Sequence, residues 1–141
     1  MKDYVLDANA VLRYFGVNEG LGVEKVRDLF EQAERSKARL FMSVVNMGEV
    51  FYVLLKHVGE ERALQYIQAL QHAVTTIEAD ATGAMEAAML KHRHKIGHAD
   101  SFAAALALRS KATLVSADPS FEKVGRPLKW LRLPKYDPKG R

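Results

Sequence analysis

His98-Ala99-Asp100-Ser101-Phe102-Ala103-Ala104-Ala105-Leu106-Ala107-Leu108-Arg109-Ser110 is followed at once by Lys111-Ala112-Thr113-Leu114-Val115-Ser116-Ala117-Asp118. Residues Ala99 to Ser110 read as a helix, and Ala112 to Val115 as a short strand with both faces covered. Ala103, Ala104 and Ala107 stand three, four and seven residues beyond Asp100, on its own helical face. Small side chains on that face let the helix backbone approach a sheet closely, and they carry Asp100 in with it. Asp118 then follows the strand directly.

The same alternation extends outward in both directions. Strands are expected at Lys2–Leu6, Arg39–Met42 and Ala73–Ile77, with a fifth, at the edge, over Leu128–Leu133. Helices are expected at Val11–Phe15 and at Val23–Arg35, where Val23, Val26, Leu29, Phe30 and Ala33 recur at helical spacing. Ser43 caps a further helix running to about His57. Two more follow at Glu60–His72 and Ala79 to about Lys91, and Gly97 breaks the chain before the last. Strands alternating with helices imply an α/β domain, a three-layer α/β/α sandwich with a central, mostly parallel sheet. Ligands of such sheets bind beyond the carboxyl ends of the strands. One domain over residues 1–133 and a basic tail over 134–141 are expected.

Four acids sit where acid is costly. Asp7 ends an apolar strand, Glu49 interrupts Val44-Val45-Asn46-Met47-Gly48-Glu49-Val50-Phe51, Asp100 opens the Ala-rich helix and Asp118 follows a strand. Such groups need a partner or a cation. Two carboxylates ~4 Å apart repel by about 4 kcal/mol at an effective dielectric of 20, and a divalent ion turns that repulsion into binding. Taken singly, each acid has a plain structural reading. Asp7 caps a helix, Asp118-Pro119 opens a turn, Asp100 suits a helix N-terminus, and Asn46 with Glu49 forms a capping pair. Their joint placement is what points to chemistry.

The order of these segments resembles the PIN-domain nucleases, and within them the VapC-type toxins of bacterial and archaeal toxin–antitoxin pairs. The resemblance rests on Leu6-Asp7-Ala8-Asn9, on Ser43 with Glu49-Val50, on His98 to Ala107 and on Leu114 to Phe121, and spans Asp3 to about Leu131. It implies a Rossmann-like sandwich and a metal-dependent endoribonuclease acting on single-stranded RNA. Asp7, Glu49, Asp100 and Asp118 match the family's acidic quartet, with Asp7, Asp100 and Asp118 as ligands of Mg²⁺ (Mn²⁺ substituting) and Glu49 acting through water. Asn9 and Ser116 match supporting polar positions, where the family often has Thr or Ser. Asn9 is a mild departure that alters the hydrogen bonding there. A small antitoxin and a homodimer are the implied partners. Phe51, Tyr52, Leu55 and Tyr66 give the dimer its apolar support.

The bulk properties agree. The 141 residues suit one domain, with 48% hydrophobic and 27% charged content. A net charge of +4 suits a polyanionic partner. With no cysteine, disulfides, thiolate zinc sites and thiol nucleophiles are excluded. No apolar run spans a bilayer and the N-terminus has no signal-peptide pattern, so the cytoplasm is the expected compartment. Arg93, Lys95 and His98 form a basic segment next to Asp100, suited to RNA phosphates; an exposed charged loop is the equal alternative. His92, His94 and His98 are a weaker zinc pattern. Trp130 with Lys129, Arg132, Lys135 and Tyr136 suits either base stacking or edge-strand packing. Two other readings remain: an RNA-processing nuclease without an antitoxin, and a Mg²⁺-binding receiver-like module. The second lacks an acidic pair after the first strand.

Overall fold

The computed structural model describes residues 1–17 and 21–134. Five strands, β1 (Lys2–Leu6), β2 (Ala38–Ser43), β3 (Thr75–Ile77), β4 (Thr113–Ser116) and β5 (Lys129–Arg132), form one sheet in the order β3-β2-β1-β4-β5. Every pairing is parallel. The sheet, expected to be mostly parallel, is wholly parallel, with β5 at the edge as expected.

Successive strand residues face opposite layers. Leu6, Leu40, Met42 and Val115 pack under α1 (Ala8–Tyr14), α2 (Val23–Glu34) and α3 (Val44–Ala73). Val5 and Leu114 pack on the other face against α5 (His98–Ser110), through Ala103, Ala104 and Ala107. These three alanines are almost fully buried. The helix lies close on the sheet because nothing larger than a methyl group separates them. Helix α4 (Ala81–His94) lies against α5.

Sequence boundaries shift where caps decide them. Helix α1 starts three residues earlier than the apolar run indicates, because Asp7 is its cap: Oδ1 accepts from the Ala10 N–H at 2.9 Å. Ser43, rather than Asn46, caps α3, accepting from Val45 N–H at 3.2 Å. The two helices expected on either side of His57–Glu60 are both present as the two halves of α3, which meet in a kink at Gly59, whose φ of 82° and ψ of 172° no helix tolerates. Helix α4 starts after Asp80, whose Oδ1 accepts from Gly83 N–H. Gly97 is the last residue before α5, so the two His at positions 94 and 98 lie on different helices. Apart from Pro134, the expected basic tail lies outside the described residues, as do Lys135 and Tyr136.

Candidate active site

Strand order places the topological switch between β1 and β4: the chain winds outward from β1 to β3, then returns to β4 on β1's other side. Doubly wound sheets bind ligands at such a point, beyond the carboxyl ends of the strands. Here the crevice is a cleft of about 490 Å³ lined by Asp7, Asn9, Arg13, Glu49, Asp100 and Asp118, among others. The four acids come from four separate elements: the end of β1, the second turn of α3, the first turn of α5 and the end of β4.

Local chemistry fixes each one. Asp7 lies one residue beyond the Leu6–Val115 register pair. Its Oδ1 holds the Ala10 N–H, and its Oδ2 accepts from the Ser116 hydroxyl. The same Ser116 oxygen accepts from the Asp118 N–H at 3.0 Å. Asp118 in turn accepts from Ser120 N–H at 2.9 Å, opening a 3₁₀ turn at Pro119–Lys123. The plain structural readings of Asp7 and Asp118 are thus correct and coexist with their placement in the cleft. Capping uses some oxygen lone pairs and leaves others free.

Burial dominates the electrostatics. Asp7 is 3% exposed. Desolvation raises its pKa from 3.8 to about 7, against the opposing bonds from Ser116 and Ala10. Desolvation also raises Asp100, helped by the neighbouring Asp118 carboxyl and by the charges of Asp118, Asp7 and Glu49. For Asp118 burial pulls upward too. It is outweighed by the Ser120 backbone bond, the Asp100 bond and the Lys123 charge, so Asp118 stays below the usual carboxylate range. Burial raises Glu49. Three of these groups thus resist ionisation without a counter-charge.

Among the described residues no three His, Cys, Asp or Glu side chains converge closely enough to enclose an ion unaided. The donor set nevertheless suits Mg²⁺ or Mn²⁺, hard ions that take one or two carboxylates and complete their shell with water and phosphate oxygen. Asp100 and Asp118 lie close enough for each to shift the other's pKa, and both would help to hold such an ion. Asn9 Oδ1 is buried on the cleft wall without a hydrogen-bond partner.

A family model described as the PIN domain matches residues 4–127. This chain is a PIN-domain protein. No curated protein sequence matches it. Solved structures resemble the PIN domain at low identity. The VapBC2 complex of Rickettsia felis bound to a promoter DNA fragment has a chain matching with a TM-score of 0.75 at 18% identity, over 93% of this chain and 98% of that one. The DNA-bound VapBC of Salmonella typhimurium gives 0.75 at 17% identity, over 94% and 98%. Mycobacterium tuberculosis VapC20, described as a sarcin-ricin loop cleaving toxin, gives 0.65 at 19% identity, over 86% and 95%. At such identities the likeness is one of fold.

Two residues of this PIN-domain site escaped the sequence reading. Arg13 is 3% exposed on the cleft wall. Its Nη1 donates to Leu21 O at 2.6 Å and to Pro134 O. Burial lowers its pKa while the Asp7 charge supports it. The available signal was a lone Arg inside Ala10-Val11-Leu12-Arg13-Tyr14-Phe15. Asn46, read as a possible cap, is 1% exposed and bonds to α5 instead. Arg93, Lys95 and His98 are exposed on the α4–α5 connection and do not line the cleft. His98 packs edge-on against Phe102. Trp130 takes its packing role: its Nε1 donates to Ser116 O at 3.2 Å and its ring meets Phe121.

Proposed function

We propose that the protein is a metal-dependent endoribonuclease that hydrolyses single-stranded RNA, and the toxin of a toxin–antitoxin pair. The observation that carries this reading is the lining of one cleft by Asp7, Glu49, Asp100 and Asp118 at the sheet's switch point. Membership of the PIN-domain family and the likeness of fold to chains of VapBC complexes support it.

In this reading Asp7, Asp100 and Asp118 hold Mg²⁺ or Mn²⁺. A divalent ion bound there supplies a water acidified for attack and stabilises charge on the phosphate oxygens. Ser116 keeps Asp7 and the Asp118 backbone in register, Asn9 supports the ion's surroundings, and Glu49, more exposed than the others, orients or deprotonates the attacking water. Arg93, Lys95 and His98 contact the RNA backbone beside the cleft. Of the four residues expected to support a homodimer, Phe51, Leu55 and Tyr66 pack against the core, and exposed Tyr52, with Leu64, Met85 and Met89, supports it instead. A groove of about 290 Å³ between α1, α2 and the second half of α3, walled by Tyr14, Phe15, Phe30 and Leu70, supports an apolar antitoxin segment. A cytoplasmic location is part of the same reading; among the described residues no helix is long and apolar enough to cross a membrane.

The test is cleavage of a mixed single-stranded RNA panel with Mg²⁺, Mn²⁺ or EDTA, comparing wild type with Asp7→Asn and Asp100→Asn. Cutting that needs the metal and disappears in both variants is the expected result. Cutting that survives EDTA, or survives both substitutions, would sink the assigned mechanism.

A further inference from the structure

Asn46 occupies the first turn of α3, buried to 1% exposure. It is not the cap, since Ser43 fills that role. Its Nδ2 donates across to the carbonyl of Ala99 at 3.1 Å, in the first turn of α5. Ala99 immediately precedes Asp100. Glu49 follows Asn46 by one helical turn, on the same face of α3. One amide therefore touches the helix that bears Glu49 and the helix that bears Asp100. Its other polar atom, Oδ1, is buried without a partner.

An amide is a costly choice at this position. An unsatisfied buried acceptor is destabilising, and an apolar side chain of the same shape removes that cost. Leucine is such a side chain, and the neighbours Val45, Met47 and Val50 are apolar. A polar group kept where packing disfavours it points to a function for the N–H that it does use.

We propose that Asn46 is a positioning residue of the nuclease site, whose amide fixes the separation of Glu49 and Asp100 by tying α3 to the first turn of α5. The assignment deepens the nuclease reading and rests on it. Ser116 does the corresponding work for the other half of the quartet, joining Asp7 to the backbone of Asp118. The four acids are thus held in two pairs, each by one uncharged side chain.

The decisive variant is Asn46→Leu in the full chain, alone and combined with Glu49→Gln. Three quantities are read: Tm of the metal-free protein, Mn²⁺ affinity by calorimetry, and kcat and KM for RNA. Expected are an unchanged or higher Tm and about tenfold or greater weakening of Mn²⁺ binding, the usual scale for losing an outer support of a metal ligand. A kcat lowered by a similar factor at unchanged KM should accompany them. In the Glu49→Gln background the Asn46 change should weaken Mn²⁺ by less than in wild type. A Tm that falls by several degrees would make Asn46 a packing residue and overturn the proposal. So would unchanged Mn²⁺ affinity in the folded variant, or equal losses in both backgrounds. If wild type bound Mn²⁺ but cut no RNA, the nuclease reading would fail while the Tm and Mn²⁺ measurements still judged Asn46. Wild type that bound no Mn²⁺ would overturn both.

Discussion

Ser116 serves two carboxylate-bearing segments with one hydroxyl. Its hydrogen goes to Asp7 and its oxygen receives the Asp118 N–H. Ser116→Ala removes both bonds inside a fully buried site and should cost about 1–3 kcal/mol of stability, measured by denaturant unfolding, together with weaker Mn²⁺ binding. Asp7 makes an opposite case. Its pKa lies near 7 in the folded chain, against 3.8 for an aspartate in open water. Between those values the folded chain holds more protons than the unfolded one, so metal-free stability should fall as pH rises from about 4 to 7. Asp7→Asn removes the ionisation and should raise the metal-free Tm more at pH 8 than at pH 5. Equal gains at both would contradict the assigned protonation. Gly97 illustrates a spatial constraint. Its φ of −65° is open to any residue, but an added Cβ would stand 3.2 Å from Asp100 Oδ2. Gly97→Ala should therefore leave the fold intact and weaken Mn²⁺ binding by displacing that carboxylate.

At the scale of elements, α5 and α3 depend on opposite features. Helix α5 works through what it lacks, with Ala103, Ala104 and Ala107 seating it on Val5 and Leu114. Ala104→Leu should overpack that seam, cost about 1–3 kcal/mol and lift Asp100 from the strand ends, so unfolding and Mn²⁺ titrations should both register it. This seam was legible because three small residues at helical spacing from an acid leave few alternatives. Both halves of α3 were legible as separate helices. The apolar periodicity restarts after Gly59, yet the two halves follow each other without an intervening loop, since one residue at positive φ makes the whole turn. Boundaries near Asp7 and Asp80 moved for a related reason: a cap is set by one side chain accepting from an N–H three residues on, which apolar spacing does not report.

Over the whole molecule, the quartet was readable because each acid interrupts an apolar segment. Arg13 and Asn46 were not, because both act on partners far along the chain: Pro134 for one and Ala99 for the other. Such contacts exist only once the parallel sheet has assembled. The assembled site should also be a load on the metal-free protein, since raised carboxyl pKa values record charges that burial disfavours. Mn²⁺ at a hundred times its Kd should stabilise the fold by about 2.7 kcal/mol, a gain visible in thermal melts and absent in Asp100→Asn.

The wholly parallel sheet has a practical corollary. All strands point their carboxyl ends toward the cleft, so β1, which opens at Lys2, delivers Asp7 at its far end. Met1 is well exposed, a five-residue strand, roughly 16 Å, from the carboxylates. The other end of the described chain has no such distance: Leu133 donates to Ser116 O, and Pro134 is held by a residue of the cleft wall. Surface tethers and fluorophores therefore belong at the amino end, where the handle points away from the cleft.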